Sequence, residues 1–113
     1  MVEEAETGST PASGEVWLSV RYSGPAGSRF DREFYVDHHV PMVLKAWSRY
    51  GLLDAAPLFP ADAEGGLLAV CECRFRDRAS IDAAFVSPEA VAIMAHVAHF
   101  TDIAPERFLL LRL

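Results

Sequence analysis

From Val16 to Tyr22 the chain alternates without a slip, with Val16, Leu18, Val20 and Tyr22 on one side and Trp17, Ser19 and Arg21 on the other. That period of two belongs to an extended strand with one buried face. The period then changes. Ser23 to Ser28 collects Gly, Pro and Ser into a loop, and Phe30 and Asp31 have the character of a hydrophobic residue before an N-cap. Wound at 100° per residue, Asp31 to Tyr50 gathers Tyr35, His39, Met42, Val43, Ala46, Trp47 and Tyr50 on one face of a helix, which Gly51 ends. Pro41 falls inside it. A proline there gives no hydrogen bond to the Asp37 carbonyl and disfavours helical geometry at Val40, so a kink or short break is expected.

The rest of the chain supplies partners for that strand and helix. Leu52 to Phe59 is a weak second strand, followed by Pro60 and the loop Ala61 to Gly66, and Leu67 to Phe75 is a stronger one. Asp77 to Val86 is a short helix. Ser87-Pro88-Glu89 starts another as N-cap, first-turn proline and first-turn acid, running to about Phe100 with Val91, Met94, Ala95 and Ala98 as its apolar stripe. Phe108 to Leu113 closes the chain as a strand. The order β, α, β, β, α, α, β predicts an α+β, ferredoxin-like protomer: a four-stranded antiparallel sheet with helices on one face. Its other face would carry Trp17, Leu68 and Val70 among Arg21, Glu72 and Arg74. A bare sheet face of that kind is an association surface, and a homodimer with its sheets packed face to face is expected.

Composition narrows the function classes. At 113 residues and 51% apolar, the chain fits one domain over 16–113, preceded by an acidic tail over 1–15 with too few large apolar groups to order itself. A net charge of −6 with scattered arginines argues against nucleic acid as a partner. No apolar run approaches the roughly 18 residues of a membrane span. The start lacks a basic region followed by an apolar one, so a cytoplasmic location is expected. Cys71 and Cys73 point to the same face of a strand as small core-filling thiols, outside any C-x-x-C pattern.

His39 is the most informative candidate. It falls near the middle of the apolar helix face, one turn after Tyr35, where partial desolvation would tune its protonation across neutral pH. Acid/base chemistry is one role for it; a core histidine bonded to a carbonyl freed at Pro41 is the other. His38 lies toward the polar edge. His96 and His99, a turn apart and close to Asp102, have no third metal ligand at a diagnostic spacing, so they are taken as boundary residues and no metal is expected. Tyr22, Trp47, Phe85 and Phe100, with Met42 and Met94, are candidates to line a cavity for a flat apolar ligand, although aromatics at these spacings also serve as plain core. No dinucleotide fingerprint, phosphate loop, nucleophile elbow or zinc-protease motif is present, and no cofactor is expected.

The combination Phe30-Asp31, Phe34-Tyr35-x-x-x-His39-x-Pro41 and Phe100-Thr101-Asp102-Ile103-x-Pro105 resembles the EthD family of the dimeric α/β-barrel superfamily. The resemblance spans about Val16 to Leu113. It implies a dimer joined through its sheets, a pocket between sheet and helices in each subunit, and His39 and Tyr35 as the site histidine and tyrosine. It also implies cofactor-free decarboxylase, isomerase, cyclase or monooxygenase chemistry on aromatic polyketides or lactones. The expected function is therefore a small cofactor-independent enzyme in which His39 moves a proton on a hydrophobic substrate and Tyr35 orients it or stabilises an oxyanion. The alternatives are an accessory protein that only holds a hydrophobic metabolite, and a structural dimer whose interior is filled by its own side chains.

Overall fold

The computed structural model describes residues 14–62 and 65–112. Four strands, β1 (Val16–Ser23), β2 (Leu52–Leu58), β3 (Leu67–Phe75) and β4 (Glu106–Leu110), form one antiparallel sheet in the order β2-β3-β1-β4. This is the expected ferredoxin-like arrangement. Leu18, Tyr22, Ala69, Cys71, Cys73 and Phe75 alternate onto the core face, as the period of β1 and β3 requires. Trp17, Arg21, Val70, Glu72 and Arg74 alternate onto the opposite face, where they meet Glu106, Phe108 and Leu110 by register. The last strand begins at Glu106 rather than Phe108, and all five of its residues are exposed along the sheet edge.

The first helix is composite: α1 (Arg32–Phe34), a π-helical segment Tyr35–His39, α2 (Val40–Trp47) and a 3-10 turn Ser48–Tyr50. Asp31 caps it as expected, its carboxylate accepting from the Phe34 N–H at 3.1 Å, and Gly51 ends it with φ of 111°. Of the kink or short break expected around Pro41, the break is absent. Val40 keeps helical angles of −60° and −44°, and the irregularity is a wider turn just upstream, in which the Val40 N–H donates to the Tyr35 carbonyl. Widening that turn relieves the clash between the proline ring and the carbonyl four residues back.

Two further helices follow, α3 (Arg78–Phe85) and α4 (Glu89–His96), the latter continued by a 3-10 turn Val97–His99 and set at 78° to α3. Asp77 caps α3 through the Ser80 N–H at 2.8 Å. Ser87 does not cap α4 with its side chain, which instead donates back to the Ala84 carbonyl at 2.6 Å. The buried residues of α4 are Ala90 and Ile93, with Phe100 buried just beyond it, and not the stripe Val91, Met94, Ala95 and Ala98; Val91 is 77% exposed. Apolar residues run almost all round α4, so its own periodicity does not choose a face.

The thiols of Cys71 and Cys73 are buried, free and 3.8 Å apart. Residues 1–13 of the expected acidic tail lie outside the described residues; Glu15 pairs with Arg74 at 3.2 Å. Among the described residues no single helix is long and apolar enough to cross a membrane.

Candidate functional site

The helices do not close fully onto the sheet. Between them lies a cavity of about 650 Å³, floored by Leu18, Val20, Tyr22, Ala55, Cys71 and Cys73 from the strands. Tyr35, His39, Val40, Val43 and Trp47 wall it from the first helix, Phe85 from α3, and Ala90, Val91, Ile93, Met94 and Val97 from the last helical stretch, with Pro105 and Arg107 from the segment leading into β4. A sheet interior filled by its own side chains is thereby excluded. The lining is overwhelmingly apolar, and its few polar groups stand out.

His39 is one of them, only 5% exposed although it lines the cavity. Its ring lies 5.6 Å from that of Tyr35 and 4.7 Å from that of Phe100, and its Nδ1 is 3.0 Å from Nδ1 of His96. Nδ1 is thus taken, which leaves Nε2 for a guest. Burial, reinforced by repulsion from His96, pushes the His39 pKa down from 6.5 to about 4, so the ring is neutral at pH 7. Tyr35 is 2% exposed, and burial foremost, with the Cys71 thiol beside it, pushes its hydroxyl upward. It stays a protonated donor. Trp47 Nε1 is a second donor, buried and without a partner among the described residues.

Two short segments fix this geometry. The Asp31 N–H donates to the Phe100 carbonyl at 2.8 Å, the Thr101 hydroxyl to the Arg29 carbonyl at 2.7 Å, and Arg29 grips Asp102 at 2.8 Å. Phe30-Asp31 and Phe100-Thr101-Asp102, far apart in sequence, are therefore stitched together where the first helix begins and the last helical turn ends. Phe30, Tyr22, Tyr35 and Phe100 pack edge to ring behind the stitch, with centroids 4.8–5.8 Å apart.

Of the candidates named from sequence, Tyr22, Tyr35, His39, Trp47, Phe85 and Met94 line the cavity, while Met42 and Phe100 do not. Phe100 is fully buried behind Tyr35 and His39 as their support, and half-buried Met42 packs against the core from the next position round the helix. His96 was not legible as a site residue. Its only sequence signal is its place three residues after Ile93, which becomes informative once the buried face of α4 is known. Arg107 carries no sequence signal of a site role either; its guanidinium covers the Phe85 ring at 4.5 Å beside the cavity. His38 is exposed as expected. No group of three or more metal-competent side chains occurs around His96 and His99 among the described residues.

No protein-family model matches the sequence, and no curated protein does. Solved structures do match. An EthD-like protein from Ralstonia eutropha is 25% identical, with a TM-score of 0.71, over 85% of this chain and 89% of that one. The chain has an EthD-like fold. A second EthD-family structure, from Bacillus halodurans, is 20% identical with a TM-score of 0.67, over 88% of this chain and 99% of its own. SnoaB from Streptomyces nogalater, described as a cofactor-independent oxygenase, shares the EthD-like fold at 14% identity and a TM-score of 0.63, over 88% and 94% of the two chains. More distantly, a Bacteroides fragilis structure at 9% identity and a TM-score of 0.52, over 86% and 95%, is described as a dimeric protein with a ferredoxin-like fold.

Within this EthD-like fold the buried His39 has a thermodynamic consequence. Its folded pKa lies below its unfolded one, so its contribution is fully present above pH 6.5 and is lost as the pH falls through about 4. The loss amounts to roughly 3 kcal/mol at about 1.4 kcal/mol per pH unit. Urea unfolding between pH 7 and pH 4 should show that decline in wild type and a shallower one in His39→Gln; parallel profiles would contradict the burial of a neutral ring.

Proposed function

We propose that this chain is a small cofactor-independent enzyme in which His39 takes a proton from, or returns one to, an acidic carbon or phenol of an aromatic polyketide or lactone-like substrate. The observation that carries this reading is a buried, neutral imidazole lining an apolar cavity of about 650 Å³, within the size range of small-molecule sites. The Tyr35 hydroxyl, Trp47 Nε1 and the Arg107 guanidinium are donors carried by the lining residues for a carbonyl whose oxygen becomes negative as the proton leaves. The test is incubation with a panel of aromatic ketones and lactones, 2-tetralone among them, in heavy water, followed by mass spectrometry. Deuterium at the carbon next to the carbonyl, above the buffer rate, is the expected result.

The apolar character of the lining also favours a second reading, an accessory protein that holds a hydrophobic metabolite without reacting with it. Saturable binding with no deuterium gained would select that reading, and absence of both binding and exchange would overturn both.

The working unit of this proposal is a homodimer. Support comes from the sheet face opposite the helices, where Phe108 and Leu110 remain 41% and 38% exposed and Glu72 Oε1 is buried without a partner among the described residues. A second sheet laid on this face would cover the apolar groups and bring donors to the carboxylate. Light scattering at micromolar concentration should give about twice 12.4 kDa, and Phe108→Asp should shift the mass toward the monomer. A wild-type mass near 12.4 kDa would contradict the dimer. The unbridged Cys71 and Cys73 suit a reducing, cytoplasmic setting.

A further inference from the structure

The four histidines of the chain come together. The rings of His38, His96 and His99 surround Phe34 with centroids 4.9, 5.3 and 5.7 Å from it, and His39 lies 5.2 Å from His96, nearly coplanar with it at 12°. Only His39 lines the cavity. His96 is half-buried, and His38 and His99 are exposed, so the cluster runs from the cavity wall to water.

We infer that His39 and His96 form a two-imidazole proton conduit, in which His39 exchanges a proton with the cavity's guest at Nε2 while its Nδ1 proton passes to His96, which carries the charge and trades protons with water. This rests on the proton-transfer reading of the cavity and explains how that reading works at neutral pH. A lone buried imidazole is a poor base, because accepting a proton leaves a cation where burial disfavours one, as the low pKa of His39 records. The 3.0 Å contact between the Nδ1 atoms removes the difficulty.

Every proton in the step has a donor and an acceptor. Before reaction His39 carries its proton on Nδ1 and donates it to Nδ1 of His96, which keeps its own proton on the side nearer water. The substrate C–H or O–H gives its proton to Nε2 of His39, its electron pair remaining on the substrate as an enolate or phenolate. At the same time the Nδ1 proton of His39 crosses to His96, so His39 is neutral before and after, while His96 becomes an imidazolium and then releases its outer proton to water. Reversing the sequence delivers a proton to another position of the substrate and resets both rings. The groups facing His39 are the neutral Tyr35 phenol, the apolar Phe100 ring and His96; those acting on His96 are His38 and His99, which lower its pKa with burial the largest cause. The nearby Arg29 and Asp102 neutralise each other in an ion pair.

Nitrogen-15 NMR of the imidazoles in the full chain, from pH 4.5 to 8.5, tests the conduit without any substrate. As His96 gains its second proton on acidification it must donate from Nδ1, so His39 should stay neutral while its single proton moves from Nδ1 to Nε2 with the midpoint of His96. In His96→Gln that tautomer change should vanish, and in His99→Gln it should persist. A His39 ring that becomes doubly protonated in step with His96, or whose proton does not move, overturns the conduit. With 2-tetralone as the probe, His96→Gln should also lose about tenfold in exchange rate at pH 7 together with the acid limb of the rate profile. No exchange by wild type would defeat the proposed function while the NMR result still decides the conduit.

Discussion

Phe100→Ala is expected to lower the unfolding free energy by about 3–5 kcal/mol, the usual cost of deleting a fully buried phenylalanine. Phe100 has no exposed surface, and its ring touches those of Tyr22, Phe30, Tyr35 and His39. The surrounding groups cannot collapse into the void easily, because the backbone of Phe100 is held by the Asp31 N–H and the next residue by the Arg29 carbonyl. The same void would loosen the His39 ring against His96. Urea unfolding of wild type, Phe100→Ala and Val91→Ala provides the comparison, with the exposed Val91 variant expected within about 0.5 kcal/mol of wild type. A loss below about 1 kcal/mol for Phe100→Ala would mean that the aromatic cluster is not the support described.

The second large effect concerns chemistry. His39→Ala should slow solvent-deuterium exchange into 2-tetralone by about 10²–10⁴, the range for removal of a general acid or base, or about 3–5 kcal/mol in the barrier. His39 offers the cavity a neutral imidazole whose Nε2 can accept a proton, whereas Tyr35 is held protonated and Trp47 and Arg107 only donate. Tyr35→Phe keeps the ring against His39 and Phe100 while removing one donor, so a smaller loss is expected. An intact His39→Ala variant that exchanges deuterium as fast as wild type would remove His39 from the mechanism. Unfolding curves on the same samples show whether the variant is intact.

Much of this was legible in the sequence because local rules and the fold agree. The alternation of Val16 to Tyr22, the Asp31 cap and the Gly51 terminus each depend on a few neighbouring residues, and the structure follows them. Burial of His39 and Tyr35 followed from the helical wheel of a strongly one-sided helix. The failures have equally local causes. Pro41 was absorbed by a wider helical turn at Tyr35 to His39, a choice set by packing that propensity does not encode. The buried face of α4 was misplaced by one position because its sequence is apolar almost all round, and with it the significance of His96 was lost. A contact between residues 39 and 96 is a tertiary fact, and no spacing within either helix announces it.

The most direct measurement is a crystal structure of the protein grown with 2-tetralone. The ketone is expected inside the cavity, its acidic carbon about 3–3.5 Å from Nε2 of His39 and its oxygen toward the Tyr35 hydroxyl, Trp47 Nε1 or the Arg107 guanidinium. A cavity closed by its own side chains, or a His39 ring turned out into water, would contradict it.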